Sequence, residues 1–129
     1  MKTNKNILVT GGLGFIGSHA VVRLIDAGFN PIIIDNLSNS RISNLDNIKN
    51  ISKKIPTFYQ VDVRDYLALK QVFSRHNINS VMHFAGLKSV SESFLCPDLY
   101  YENNVGGSKS LVKVMYDFDV KKLIFSSSA

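Results

Sequence analysis

The first pattern in the chain that could do chemistry is a cluster of glycines at the junction of two differently patterned segments. Val9-Thr10-Gly11-Gly12-Leu13-Gly14-Phe15-Ile16-Gly17 contains Gly12-x-Gly14-x-x-Gly17, overlapped by Gly11-x-x-Gly14-x-x-Gly17. Positions without a Cβ can turn tightly and let the backbone approach a pyrophosphate. A helix opening just after them would offer unpaired N–H groups and the positive end of its dipole to phosphates. Glycines alone equally suit a plain structural turn. The apolar run before them and the helical period after them are the context a dinucleotide site requires. Asp35 closes the next apolar run, close to the usual separation of about 20 residues from such glycines. A carboxylate there can accept both hydroxyls of an adenosine ribose and repel a 2′-phosphate; it also suits a strand-end turn ahead of Asn36. Arg41 could host a phosphate, but it lies in a polar, loop-like stretch, so NAD is expected over NADP. Asp62 is a second strand-end acid. His83 is expected to face the core or a helix. Gly106-Gly107 falls inside a helical pattern, where each glycine costs about 1 kcal/mol relative to alanine, so a close approach by another backbone or a nucleotide is expected there.

These residues need a scaffold, and the hydrophobic pattern supplies one. Candidate strands are Asn6–Thr10, 31–35, 57–62, 80–85 and 122–126. The first, second and last are continuously apolar and β-branched, as in parallel strands covered on both faces. Between them lie segments of helical period. Positions 15–27 are apolar nearly all round except for His19, Arg23 and Asp26, which predicts a largely buried helix ended by Gly28. A helix starts near Asp65, with Tyr66, Leu69, Val72 and Phe73 on one face. A longer one opens at Pro97-Asp98 and carries Tyr101, Val105, Val112, Met115 and Phe118. The polar stretch 36–55 has Ile42, Leu45, Ile48 and Ile51 at a spacing that permits a short helix. Alternating strands and helices imply an α/β sheet with right-handed crossovers. No linker, repeat or low-complexity segment interrupts it, so one domain spanning 1–129 is expected.

Composition narrows the function classes. The chain is 129 residues long, 45% hydrophobic and 19% charged, a globular balance that excludes disordered, collagenous and coiled-coil classes. Fifteen Lys and Arg against ten Asp and Glu give a net charge of +5. The basic residues are scattered, with no concentrated face for nucleic acid. One cysteine, Cys96, excludes an internal disulfide framework and a multi-cysteine zinc site, and is read as structural. No metal site is expected. Apolar runs are too short to span a membrane and the N-terminus lacks the pattern of a signal peptide, so a cytoplasmic protein without membrane or nucleic-acid partners is expected.

At the level of motifs the chain resembles the extended short-chain dehydrogenase/reductase family, and within it the UDP-glucose 4-epimerases. The resemblance rests on Thr10-Gly11-Gly12-Leu13-Gly14-Phe15-Ile16-Gly17-Ser18-His19, Asp35-Asn36-Leu37, Asp62-Val63-Arg64-Asp65, His83-Phe84-Ala85-Gly86-Leu87-Lys88-Ser89-Val90-Ser91-Glu92-Ser93, Tyr100-Tyr101-Glu102-Asn103-Asn104-Val105 and Ser126-Ser127-Ser128-Ala129. It covers essentially the whole chain. The related nucleotide-sugar dehydratases carry a Thr-Asp-Glu signature where this chain has Ser-Ser-Ala, which counts against that reading. The resemblance implies a Rossmann-like doubly wound parallel sheet of order 3-2-1-4-5, truncated after about the fifth strand, with a C-terminal substrate domain outside the chain.

It also implies roles by position. Gly11, Gly14 and Gly17 would form the turn, with Phe15 and Ile16 offering N–H groups to the pyrophosphate. Asp35, Asn36, Leu37, Ser38, Asn39 and Ser40 would surround the adenosine ribose, and Asp62 and Val63 would read the adenine. Phe84, Ala85, Gly86, Leu87 and Lys88 would line the cofactor, with Lys88 by the nicotinamide ribose and phosphate and Asn103 beside it. Ser128 would be the catalytic hydroxyl on the sugar 4-oxygen. Asp62 also suits a helix-preceding acid, Lys88 an exposed lysine and Ser128 an ordinary chain-end serine. The family's Tyr-x-x-x-Lys pair belongs beyond Ala129, and no such pair is expected within the chain. The expected parent is a homodimeric, NAD-dependent UDP-hexose 4-epimerase; the 129 residues alone would be inactive and self-associating. Another nucleotide-sugar enzyme of the family, or a non-catalytic NAD-binding module, is the alternative.

Overall fold

The computed structural model describes residues 5–38, 40–85, 98 and 101–125. Five parallel strands form one sheet: β1 (Asn6–Thr10), β2 (Asn30–Asp35), β3 (Thr57–Gln60), β4 (Ile78–His83) and β5 (Leu123–Phe125), in the order β3-β2-β1-β4-β5. The helices between them are α1 (Phe15–Asp26), α2 (Ser43–Ser52), α3 (Tyr66–Arg75) and α4 (Gly107–Asp117), the last preceded by a π-helical segment, Tyr101–Gly106. This is the doubly wound, Rossmann-like arrangement that the motif pattern implies.

Strand alternation divides the core in two. Ile7, Val9 and Ile33 pack with Leu13, Val21, Ile25 and Ile48 beneath α1 and α2. Leu8, Ile32, Ile34 and Val81 pack with Leu69, Val72, Phe73, Leu111 and Val114 beneath α3 and α4. Helix ends follow from local chemistry. Gly28, at φ 90°, ends α1 with its N–H on the Ile25 carbonyl and Phe29 N–H on the Leu24 carbonyl, the pairing of a Schellman motif. The Asp65 carboxylate caps α3 by accepting from Ala68 N–H at 3.1 Å. Among the described residues no helix is long and apolar enough to cross a membrane.

Several expectations are corrected. α1 is amphipathic instead of largely buried: Gly17, Val21 and Ile25 face the core, while Phe15 and Ile16 are 82% and 53% exposed. Of the four spaced apolar residues only Ile48 of α2 is fully buried, and Ile42, just ahead of that helix, and Ile51 are exposed. β3 stops at Gln60, two residues short, because its last partner, Asp35, is where β2 turns away. β4 starts at Ile78, across from Asn6, with a register shift between Asn6 and Ile7. It ends at His83, because β1 enters the glycine turn. A Cβ on Gly107 would lie 2.6 Å from Val63 Cγ1, so a side chain makes the close approach. At Gly106 there is open space. The opening of the long helix at Pro97 falls outside the described residues.

Candidate functional site

A crevice runs along the C-terminal ends of β1 to β4. It is lined after β1 by Thr10, Gly11 and Gly14, around the end of β2 by Ile34, Asp35, Asn36, Ser38 and Ser40, after β3 by Val61, Asp62 and Val63, and after β4 by Phe84 and Ala85. This is where doubly wound sheets bind ligands, at the point where strand order reverses between β1 and β4. The enclosed space is only about 90 Å³, well below the roughly 300–1,000 Å³ of a swallowing pocket. A long ligand would therefore lie along the crevice with one edge open.

The glycine turn shows which of the two overlapping patterns governs the backbone. Gly11 takes φ 67°, and a Cβ there would sit 2.7 Å from Ala85 N. At Gly17 a Cβ would meet the Gly11 carbonyl oxygen at 2.1 Å, so α1 rests directly on the turn. Gly14 donates to that same oxygen at 3.1 Å and is otherwise clear of protein on its Cβ side. Gly11-x-x-Gly14-x-x-Gly17 thus carries the geometry. Gly12 is small for a packing reason, since its Cβ would strike Ile33 Cγ2. No side chain caps α1 and its first turn holds no acid. The donor set and the cradle fit a pyrophosphate.

Asp35 is the polar centre of the crevice and only 8% exposed. Its Oδ2 accepts from Leu13 N–H at 3.1 Å, and its Oδ1 accepts from Leu37 N–H at 2.9 Å and the Ser40 hydroxyl at 2.8 Å. The carboxylate therefore fastens the glycine turn to the loop after β2. Leu37 adopts φ 64° there, and Ser38 N–H bonds Asn36 Oδ1 at 3.0 Å. A four-position acceptor with three positions used retains capacity for a ribose hydroxyl, and the Ser40 hydroxyl is the group that can rotate away.

Asp62 is held differently. Arg64 bonds both of its oxygens, Nε to Oδ1 at 3.0 Å and Nη2 to Oδ2 at 2.7 Å, and Asn36 Nδ2 approaches Oδ2 at 3.4 Å. The Arg64 side-chain bonds hold the Asp62 carboxyl below its ordinary value, against partial burial. Val63 is pinned by its contact with Gly107, and the Arg64 carbonyl accepts from Ser110 Oγ at 3.0 Å, so α4 fixes this wall.

Phe15 and Ile16 stand exposed at the start of α1. Asn103 lies in the π-helical segment. Asn39, Gly86, Leu87, Lys88 and Ser128 fall outside the described residues. His83 is 3% exposed and hydrogen-bonded to Thr10 and Ser108, facing the core and α4. One expectation fails outright: a Tyr-x-x-x-Lys spacing does occur within the chain, at Tyr66 and Lys70. It sits on α3, where the Tyr66 hydroxyl donates to Asp117 and that bond raises its pKa. A base tyrosine needs the opposite shift, so this pair is a helix-packing feature.

Three contributors went unnoticed in the sequence. Thr10 is a lone hydroxyl at the end of an apolar strand, a signal that was legible. Leu13 reaches the crevice through its backbone, with its N–H on Asp35. Asn44 donates to the Leu13 carbonyl at 2.6 Å, bracing the turn from α2, the short helix that the spacing of Ile42, Leu45, Ile48 and Ile51 permits. Among the described residues no His, Cys, Asp or Glu cluster could hold a metal.

This geometry has close counterparts among known proteins. The chain is 52% identical over 124 residues to a UDP-glucose 4-epimerase from Yersinia enterocolitica, covering 96% of this chain and 37% of that enzyme. It is 50% identical over 123 residues to one from Dictyostelium discoideum, covering 95% and 36%. The crystal structure of the Bifidobacterium longum UDP-glucose 4-epimerase in complex with NAD+ and UDP superposes with TM-score 0.95 at 45% identity, covering 97% of this chain and 37% of that one. The chain thus spans little more than a third of the length of these relatives. The family described as GDP-mannose 4,6 dehydratase matches residues 8–129, and with that span matched in order, the chain belongs to that family.

Proposed function

We propose that this chain forms the NAD-binding part of a UDP-hexose 4-epimerase, the reading that the crevice and the relatives together support best. The observation that carries it is Asp35, a nearly buried carboxylate one bond from the glycine turn and one bond from the loop after β2. Gly11, Gly14 and Gly17 with the N–H groups of Phe15 and Ile16 would hold the pyrophosphate. Asp35 to Ser40 would hold the adenosine ribose, and Asp62 and Val63 the adenine. The β4 exit, with Lys88 and Asn103, would face the nicotinamide half.

When bound, NAD supplies a hydride acceptor and donor for C4 of the sugar, so that inversion proceeds without net redox. Asp35 orients the cofactor and repels a 2′-phosphate. Ser128 would hydrogen-bond the sugar 4-oxygen and assist the movement of its proton. The epimerase assignment follows the relatives at about half identity over nearly the whole chain, and the Ser126-Ser127-Ser128-Ala129 end, which departs from the dehydratase signature.

Calorimetry with NAD and NADP tests the cofactor half: NAD should bind in preference, and an NADP preference or no binding would overturn it. For the chemistry, the coding sequence should continue past Ala129 into a Tyr-x-x-x-Lys segment. In that longer protein, Ser128→Ala should lower kcat for UDP-galactose turnover far more than it weakens UDP-sugar binding. A kcat within about threefold of the parent's, under 1 kcal/mol of barrier, removes Ser128 from the mechanism.

A further inference from the structure

We propose that His83 is a positioning residue for the crevice, locked as its Nε2–H tautomer within a directed hydrogen-bond chain that ties the π-helical segment to the glycine turn. The proposal rests on the dinucleotide reading above and assigns a role to a residue that touches no ligand. The chain's direction follows from counting hydrogens. Thr10 is fully buried; its Oγ1 accepts from Ala85 N–H at 3.1 Å and, also at 3.1 Å, shares Phe84 N–H with the Thr10 carbonyl at 3.0 Å. A hydroxyl has two acceptor positions and one hydrogen. Its hydrogen must then go to His83 Nδ1, 2.5 Å away, which makes Nδ1 a bare acceptor. A hydrogen on Nδ1 would crowd a further donor onto Thr10 Oγ1 and face the hydroxyl's own hydrogen.

The neutral ring then carries its hydrogen on Nε2, 3.3 Å from Ser108 Oγ. Ser108 passes its own hydrogen to the Asn104 carbonyl at 2.8 Å, within the π-helical turn. The Asn104 carbonyl can only accept, and the opposite ring tautomer would set the Nδ1 hydrogen against that of Thr10. The far end of the chain is where β4 leaves the sheet. There the backbone of Phe84 and Ala85 lies so close to Gly11 that a Cβ would meet Ala85 N at 2.7 Å. Thr10 fixes that separation, and His83 fixes Thr10. Along the crevice Asp35 marks the adenosine end and the β4 exit the opposite one. His83 therefore governs how the part of a dinucleotide beyond the pyrophosphate is seated.

Nitrogen-15 NMR of the His83 ring in the 129-residue chain tests the direction. An unprotonated Nδ1 and a protonated Nε2 are expected, and the opposite tautomer overturns the proposal whatever the chain binds. Calorimetry with NAD and with ADP on His83→Leu and His83→Asn tests the consequence. Leucine should weaken NAD roughly tenfold, one net hydrogen bond's worth, while ADP stays within about threefold. Asparagine can place its amide oxygen where Nδ1 stood, and should recover most of the NAD affinity. Equal losses on NAD and ADP, an undiminished NAD affinity in the leucine variant, or no recovery with asparagine would each overturn it. A wild-type chain that binds neither nucleotide would sink the dinucleotide reading, and the ring tautomer would still decide the chain's direction.

Discussion

Replacing Asp35 by asparagine should damage the fold and the cofactor choice together, because one carboxylate serves both. In the structure its Oδ2 faces Leu13 N–H at 3.1 Å and its Oδ1 faces Leu37 N–H at 2.9 Å and the Ser40 hydroxyl at 2.8 Å. An amide offers one oxygen. With Oδ1 kept toward Leu37, the new NH₂ confronts Leu13 N–H, whose residue is fully buried. Flipped, it confronts Leu37 N–H, nearer solvent, while the Ser40 hydroxyl rotates. The flipped form costs less, so the loss belongs at the low end of about 1–3 kcal/mol for a donor left facing a donor. That corresponds to a fall in melting temperature on the order of 3–10 °C for a chain of this length. In the proposed ribose role, losing the carboxylate removes a charge-assisted bond, about 1.5–3 kcal/mol, or roughly ten- to a hundredfold in NAD affinity. NADP loses little, since the repulsion of its 2′-phosphate goes as well. Thermal melts by circular dichroism and calorimetry with both nucleotides read the two effects. A variant that melts within about 1 °C of wild type and keeps its NAD-to-NADP ratio would refute the reasoning.

Alanine at Gly17 would place a methyl 2.1 Å from the Gly11 carbonyl oxygen, against 3.3 Å for alanine at Gly14. Urea unfolding should therefore show Gly17→Ala destabilised by about 1–3 kcal/mol or more, and Gly14→Ala nearly as stable as wild type but weaker for NAD; equal stabilities would contradict the packing argument. Because Arg64 lowers the folded-state pKa of Asp62, their pairing stabilises above the unfolded carboxylate value of about 3.9 and is lost as pH falls through the lower folded value. Both side chains are partly solvated, so the gap between wild type and Asp62→Asn should be only about 0.5 kcal/mol at neutral pH, closing as the pH falls below the unfolded carboxylate value; a gap that widens on acidification would contradict the sign. β5 is a sheet edge with Leu123, Ile124 and Phe125 all exposed, a template for pairing between copies. Sedimentation should show association that rises with concentration and is reduced by Ile124→Lys, and a wild-type monomer at high concentration would remove the edge argument.

The sheet was legible because buried parallel strands announce themselves. Ile7 to Val9 and Ile32 to Ile34 are apolar on both faces, since helices cover both. Boundaries were less so. β3 and β4 stop where their neighbours turn away, at Asp35 and at the glycine turn, and a strand's own residues do not encode its partner's exit. α1 read as buried because Phe15 and Ile16 are apolar, yet both project from the crevice end of the helix. Gly11, Gly14, Asp35 and Asp62, singled out by type and spacing, come together along one crevice. Leu13 was not singled out, because it serves the crevice through backbone groups that any residue would supply. The Thr10–His83–Ser108 chain was hidden for a different reason. Its members lie on β1, β4 and α4, and only the parallel pairing of β1 with β4 brings Thr10 opposite His83.

That pairing explains how so open a crevice can hold a defined shape. Every group in it stands within a few residues of the end of a strand whose register is fixed by buried apolar contacts, so its position is inherited from the core. Ile33 packs where a Cβ on Gly12 would fall, and Val63 packs where one on Gly107 would fall. The core thereby sets the floor of the turn and the wall beside Asp62 directly. The polar bonds add direction: Asp35 ties β2 to the turn, Thr10 ties the turn to β4, and His83 with Ser108 ties β4 to the helix beyond. A change to a buried aliphatic such as Ile33 would consequently be felt by the ligand as a shift of the glycine turn, with no contact between the two.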